Sequence, residues 1–250
     1  MIQGEAPAGW LREVQGQVDL YLSRFFEGRR AETTRLLAGT RDTAPRDRKD
    51  SMLLEALADL TMRGGKRLRP AVLVAAMSAV KPGKTVKDVL PACGALELLQ
   101  TYLLIHDDWM DGDGQRRGGA SVHAMLRERV QDQQLGDALA ILAGDLGSAY
   151  AWELMLEAAW STPRGRDVSE TFSRIHKEVV LGQELDLSGS ADVVQMQRLK
   201  TGSYTVKAER GEVHLEIVDV EGHLADRLHG VGVEDHAPSP CRRRRSRRSG

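Results

Sequence analysis

Between positions 88 and 111 the chain reads DVLPACGALELLQTYLLIHDDWMD, an almost unbroken apolar stretch that stops in a cluster of acids. Its period and length read as one long helix over residues 88–111, apolar almost all round. A helix with no polar face has to be buried by other elements. The rest of the first 200 residues supplies helices to do this. Leu11, Val14, Val18, Leu22, Phe25 and Phe26 recur at three- and four-residue steps and predict a helix over 10–37. A polar, proline-containing stretch at 41–50 reads as a loop. A short amphipathic helix over 51–62 stops before Gly64-Gly65. Pro70 suits the first turn of an apolar helix over 70–80, and KPGK at 81–84 is a turn. GDGQRRGG at 112–119 breaks the long helix, and helical stretches follow at 121–131, 135–160 and 167–187. Sustained two-residue alternation is missing, so the expected fold class is all-α.

Composition bounds what such a fold can do. The 250 residues suit one large domain or two small ones, and 41% hydrophobic with 28% charged residues excludes disorder throughout. With no apolar run of about 18–20 residues, no membrane span is expected. The first fifteen residues lack the basic start and apolar stretch of a secretory signal. Cys93 and Cys241 give neither a disulfide framework nor a zinc spacing, which makes a reducing, cytoplasmic setting the expectation. The net charge of −1 hides an asymmetry: without the six arginines of the last ten residues, 29 basic and 36 acidic residues remain, or −7 for residues 1–240.

The acids closing the long helix carry the first chemical signal. Asp107 and Asp111 are four apart and share a helix face, with Asp108 close enough to join them. Carboxylates at a helix C-terminus repel one another and oppose the macrodipole, so a cation is called for. Mg²⁺ is a hard cation held by one or two carboxylates together with substrate phosphates. The plain alternative is a solvated helix end with surplus acids, and Asp113 is either a fourth contributor or a loop acid. Arg116 and Arg117 follow within a few residues. They are either surface residues or a clamp for a second anion. Upstream, RGGKRLRP at 63–70 sets Lys66, Arg67 and Arg69 behind two glycines. Glycine lets backbone N–H groups approach an anion, and the cations add charge. The spacing is not that of a Walker A loop, and a basic interhelical turn remains the plain reading.

Together GGKRLRP and DDWMD…RRG, about forty residues apart, resemble the signatures of the trans-type isoprenyl diphosphate synthases (polyprenyl synthetases). LGQELDL at 181–187 and KTGSYT at 200–205 match as well. The resemblance covers roughly residues 10–206. It implies an isoprenoid-synthase-type helical bundle with a central active-site cavity and a Mg²⁺-dependent prenyl transfer between two diphosphates. It implies that Asp107, Asp108 and Asp111 bind the metal. Lys66, Arg67, Arg69 and Gln100 would serve the diphosphate of isopentenyl diphosphate together with Arg117, and Arg116 would face the allylic diphosphate. Lys200 and Thr201 would flank the allylic diphosphate and the nascent carbocation, and Gln183 and Asp186 would project into the same cavity. No protein base is demanded. Bulk at Tyr102 and Leu103 would set chain length, and an aromatic at Tyr102 resembles short-chain enzymes with C15 or C20 products. The family also implies a homodimer.

The pattern breaks after about Val206. EVHLEIVDV alternates like a strand, four of the seven histidines (His214, His223, His229, His236) gather there, and the chain ends in an arginine tract. A second aspartate-rich motif is missing from 207–250. The expectation is therefore a helical domain over 1–206, incomplete, followed by a divergent, poorly ordered tail over 207–250 arising from truncation or a frame shift. Activity would then be in doubt. A native basic tail binding nucleic acid or an anionic surface is disfavoured, since no aromatic is interleaved with the arginines. Three other functions stay open. One is a terpene cyclase, which would have no use for GGKRLRP. Another is a non-catalytic or regulatory synthase-like subunit. The third is a basic-tailed binding protein.

Overall fold

The computed structural model describes residues 7–37, 51–189 and 192–202. The expectations for the loop at 41–50 and for the tail after residue 202 lie outside them. Helices α1 (Pro7–Leu37), α2 (Met52–Met62), α3 (Leu68–Val80) and α4 (Leu90–Asp111) are followed by a two-stranded hairpin, β1 (Gln115–Arg116) and β2 (Gly119–Ala120). Then come α5 (Val122–Val130), α6 (Gln133–Trp160), α7 (Gly165–Leu187) and the short α8 (Val193–Gln197). A π-helical turn over Arg198–Gly202 continues α8. The all-α expectation holds apart from the hairpin. Its tip, Arg117-Gly118, has positive φ at both residues (49° and 75°), as a two-residue type I′ connection requires. Strands of two residues each are too short to show period-two alternation in the sequence.

Helix α4 is the axis of the bundle. A 3-10 turn at Val86–Val89 leads into it, Pro91 sits in its first turn, and Gly112 ends it in the left-handed region. Thirteen of its 22 residues are buried, including Leu96, Leu98, Leu99 and Ile105. Each large aliphatic side chain so buried stabilises the fold by about 1.5–3 kcal/mol. α1 contributes one stripe, Val14, Val18, Leu22 and Phe26, all nearly inaccessible. α6 buries a run of small residues, Gly136, Ala140, Ala143, Gly144, Gly147 and Ala151, at three- and four-residue spacing, with Gly136 against Arg127 of α5 and Gly144 and Gly147 against α4. This stripe lets the helices close up. A Cβ on Gly147 would come within 2.9 Å of Leu57, and one on Gly144 would strike the His106 ring.

Two segments, Val86–Asp111 and Gln133–Trp160, are long and apolar enough by composition to cross a membrane, contrary to the expectation drawn from run length. For the first, packing accounts for the apolarity, since 72% of its apolar window is buried in the bundle. α6 is covered less fully. Leu135 and Leu142 are 49% and 50% exposed on it, while Leu139 and Leu146 are partly buried against the core.

Arg67 ties three helices together. It stands at φ 47° before α3, and its side chain is fully buried. Nε donates to Asp19 of α1 at 2.8 Å, Nη1 to Glu97 of α4, and Nη2 to the Thr61 carbonyl of α2 at 2.8 Å. Although burial acts against the cation, the two carboxylates hold its pKa above the ordinary value. The expectation that Arg67 binds substrate is therefore corrected. Its donors are spent inside the protein, because the left-handed residue after Gly64-Gly65 turns it inward.

Candidate active site

A cavity of about 710 Å³ opens between α4, α7 and the 198–202 turn. On α4 its lining follows the helical repeat, through Gln100, Leu103, Asp107 and Met110. On α7 it runs through Val179, Val180, Gln183 and Leu187, and Lys200 and Thr201 close the third side. Both helices end at the same mouth. There Lys200 Nζ donates to Asp107 of α4 at 3.0 Å and to Asp186 of α7 at 2.6 Å. Burial alone would lower the pKa of this ammonium, but the two carboxylates outweigh it and hold the pKa above the ordinary value. The mouth thus gathers acids of two helices around one ammonium.

Lys200 reaches that place because its backbone packs directly on α7. Gly182 faces it, and any side chain there would collide with the Lys200 amide nitrogen. π turns of this kind occur often at functional sites. Gln183 Nε2 is buried without a hydrogen-bond partner among the described residues. It lines the cavity as a donor available to a bound oxygen.

The three acids of DDWMD divide. Asp111 is near Asp107 and Lys200, and its pKa is raised, by burial first and by the Asp107 charge second. Asp108 turns the other way. Its side chain is fully buried and receives Arg116 Nε at 2.7 Å and Arg116 Nη2. Burial raises its pKa, and Arg116 offsets only part of that. Asp108 thus does not join Asp107 and Asp111 as the sequence suggested. A residue one step along a helix points about 100° away, and here it anchors an arginine. Among the described residues no three His, Cys, Asp or Glu side chains converge closely enough to hold a metal ion by themselves. Asp107 and Asp111 still fit Mg²⁺, which needs only one or two carboxylates when phosphate oxygens complete its shell. The donor set suits an ion held jointly with a substrate, not an all-protein cage.

The glycine loop and the arginine hairpin, fifty residues apart in sequence, meet in space. Arg117 Nη1 donates to the Leu60 carbonyl at 3.4 Å, and its guanidinium lies against the α-carbon of Gly65. Burial lowers the Arg117 pKa; Glu97 opposes this, and Arg67 and Arg69 add to it. Arg69 is half-buried beside this cluster and Lys66 is exposed. Sequence reasoning missed the brace that holds the hairpin. Arg63 Nη1 donates to the carbonyls of Arg116 (3.1 Å) and Ala120 (2.7 Å), and Nη2 to Asp59 at 2.5 Å. A Cβ on Gly119 would sit 2.7 Å from that guanidinium, so the hairpin glycine and Arg63 fit as a pair. His106 was also missed. It lines the cavity and bonds the Ile141 carbonyl at 3.0 Å through Nε2.

Solved structures share this architecture. A geranylgeranyl pyrophosphate synthase from Corynebacterium glutamicum superposes with a TM-score of 0.69 at 24% identity, over 87% of this chain and 63% of that one. An FPP/GFPP synthase from Zymomonas mobilis gives 0.64 at 26% identity, over 88% and 75%. The fold is that of the isoprenoid synthases. The polyprenyl synthetase family model matches residues 50–217, and the chain belongs to that family. Among curated relatives, a short chain isoprenyl diphosphate synthase of Methanocaldococcus jannaschii is 35% identical over 161 residues, 62% of this chain and 46% of that protein. A geranylgeranyl diphosphate synthase of Methanosarcina mazei is 40% identical over 135 residues, 54% and 38% of the respective lengths. The chain thus spans about half the length of the curated relatives it matches.

Proposed function

We propose that this protein condenses isopentenyl diphosphate with an allylic diphosphate to give a short-chain isoprenyl diphosphate of C15–C20. The observation that carries the proposal is the cavity itself. An apolar barrel of α4 and α7 side chains ends in a mouth where Asp107, Asp186 and Lys200 meet. The Arg69–Arg117 cluster forms a second site of anion-binding character. Asp107 and Asp111 would hold Mg²⁺, which when bound neutralises charge on the departing diphosphate. Lys200 and Thr201 stand where the allylic diphosphate leaves, with Gln183 and Asp186 beside them. Lys66, Arg69, Gln100 and Arg117 orient the isopentenyl diphosphate, and Arg116, held by Asp108, lends its charge to the allylic side.

The allylic C–O bond breaks, the isopentenyl double bond forms the new C–C bond, and the released diphosphate takes the proton. The chain's own contribution is electrostatic stabilisation of the leaving group and exclusion of water by Leu103, Leu104, Val179 and Leu187. We assign this role to a helical unit over 1–206 and regard 207–250 as a tail of different character. Exposed Leu135 and Leu142 of α6 support a homodimer, and a cytoplasmic setting agrees with the two cysteines.

The test is a prenyl transfer assay with Mg²⁺, labelled isopentenyl diphosphate and each allylic diphosphate in turn, with products sized by chromatography. A C15 or C20 product that vanishes in Asp107→Ala is expected. A folded protein that binds diphosphate but forms no product would overturn the catalytic reading and leave a non-catalytic synthase-like subunit.

A further inference from the structure

Tyr102, singled out above for chain length, meets a residue that lies in none of the sequence motifs, His176 of α7. Tyr102 precedes Asp107 by five residues on α4, about 7.5 Å down the helix at 1.5 Å per residue. His176 precedes Gln183 by seven residues on α7, two turns below it and on the same face. The two side chains meet beneath the mouth. Tyr102 Oη and His176 Nε2 are 2.5 Å apart, and their ring centroids are 5.0 Å apart. Burial lowers the pKa of the imidazole and raises that of the phenol, so the two neutral groups are joined by one hydrogen bond whose donor is set by the imidazole tautomer.

Each partner is held from behind. The Trp152 indole of α6 stacks against His176 at 6.5 Å and 23°, and Trp152 is wedged edge-on against the fully buried Phe172 at 4.9 Å. Tyr102 is pinned at its stem, where a Cβ on Gly147 would lie 3.2 Å from its own Cβ, and the His106 ring meets it edge-on at 5.6 Å. α4, α6 and α7 thus converge on a single tyrosine ring, which lines the cavity.

We infer that His176 is a positioning residue for product length, holding the Tyr102 ring across the cavity so that a growing isoprenoid tail stops there. The inference rests on the prenyl transfer proposed above and names the residue that tunes it. An aromatic ring on a helix can swing aside by rotating its side chain; one hydrogen-bonded to the neighbouring helix α7 cannot do so without losing that bond. The tail is apolar and offers no replacement partner.

The experiment compares the parent with His176→Phe, which keeps a ring but removes the hydrogen-bonding nitrogen, with His176→Gln, which keeps a polar partner, and with Tyr102→Phe and the double Phe variant. Farnesyl diphosphate, isopentenyl diphosphate and Mg²⁺ are supplied and the products are sized. His176→Phe should raise the ratio of longer to shorter product about three- to tenfold, the range that one lost hydrogen bond allows. Tyr102→Phe should match it, the double variant should add nothing further, and His176→Gln should stay near the parent. An unchanged product ratio in His176→Phe, or additive effects in the double variant, overturns the inference. If His176→Phe does not fold, Tyr102→Phe with His176→Gln decides the same question.

Calorimetric binding of farnesyl and geranylgeranyl thiolodiphosphates gives a readout free of turnover. A parent that makes no product but prefers the shorter tail, with that preference lost in His176→Phe, sustains the inference and sinks the proposed activity. A parent that shows no tail-length preference sinks the inference.

Discussion

Asp107, Asp108 and Asp111 are the same residue type within five positions, yet the helix assigns them different tasks. Asp107 faces Lys200 across the mouth, while Asp108 is buried against Arg116. Asp107→Asn or Asp111→Asn should lower prenyl transfer about 100-fold or more, as loss of a charge-stabilising group does, with the unfolding midpoint nearly unchanged. Asp108→Asn should instead lower the midpoint in urea, because Arg116 loses its charged partner. Arg67 is the strongest structural residue of the motif that contains it. Arg67→Ala leaves Glu97, 5% exposed at its side chain, as a buried unpaired charge. A loss of about 3–5 kcal/mol is expected, read from chemical denaturation. The histidines set a pH dependence. Burial lowers the pKa of His176 and His123 below the ordinary 6.5. The unfolded chain therefore takes up protons first as pH falls. Stability is fully present above about 6.5 and falls as pH drops through the folded-state values. Urea midpoints at pH 7.5 and 5.5 should show this, and His176→Phe should reduce the difference.

At the scale of elements, small residues determine which helices can approach. Gly182 places the Lys200 backbone against α7, and the Gly144–Gly147 stretch lets α6 accept His106, Leu57 and Tyr102. Gly182→Ala inserts one methyl where the π turn must sit. The turn moves, and Lys200 loses its distance to Asp107. Turnover should fall about 10- to 100-fold, the scale set by an ångström of misplacement, while overpacking costs about 1–3 kcal/mol of stability. Steady-state kinetics beside thermal unfolding separate the two effects. The hairpin is the other element whose job is placement. Its type I′ tip presents Arg116 and Arg117 to opposite sides, one to Asp108 and one to Gly65. Arg63 clamps both strands from α2.

For the whole molecule, exposed Leu135 and Leu142 of α6 mark the surface that the proposed homodimer would cover. Leu142→Glu should shift the sedimentation profile toward monomer at micromolar concentration, with the helical signal retained; an unchanged profile would remove α6 from the interface.

Much of the molecule was legible in its letters. Hydrophobic periods of three and four residues located α1 to α7 to within a few positions, because an amphipathic or buried helix must repeat its apolar residues at that spacing, while the five-residue α8 was too short to show one. The acidic helix end, the glycine-basic loop and the KTG segment marked the mouth of the cavity through residue chemistry alone. Direction was not legible. Whether Arg67 turned outward to an anion or inward to Asp19 and Glu97 depended on a left-handed backbone at one residue and on carboxylates 48 and 30 positions away. Asp108 parted from its neighbours because Arg116 came back to it across a hairpin too short to leave a period. The contact between Tyr102 and His176 joins residues 74 apart, and no pattern along either helix couples them. Local chemistry and periodicity determined which elements exist and which residue types the site holds. Long-range packing decided which of those side chains face the cavity, because a side chain's neighbours are set by the helices that close around it.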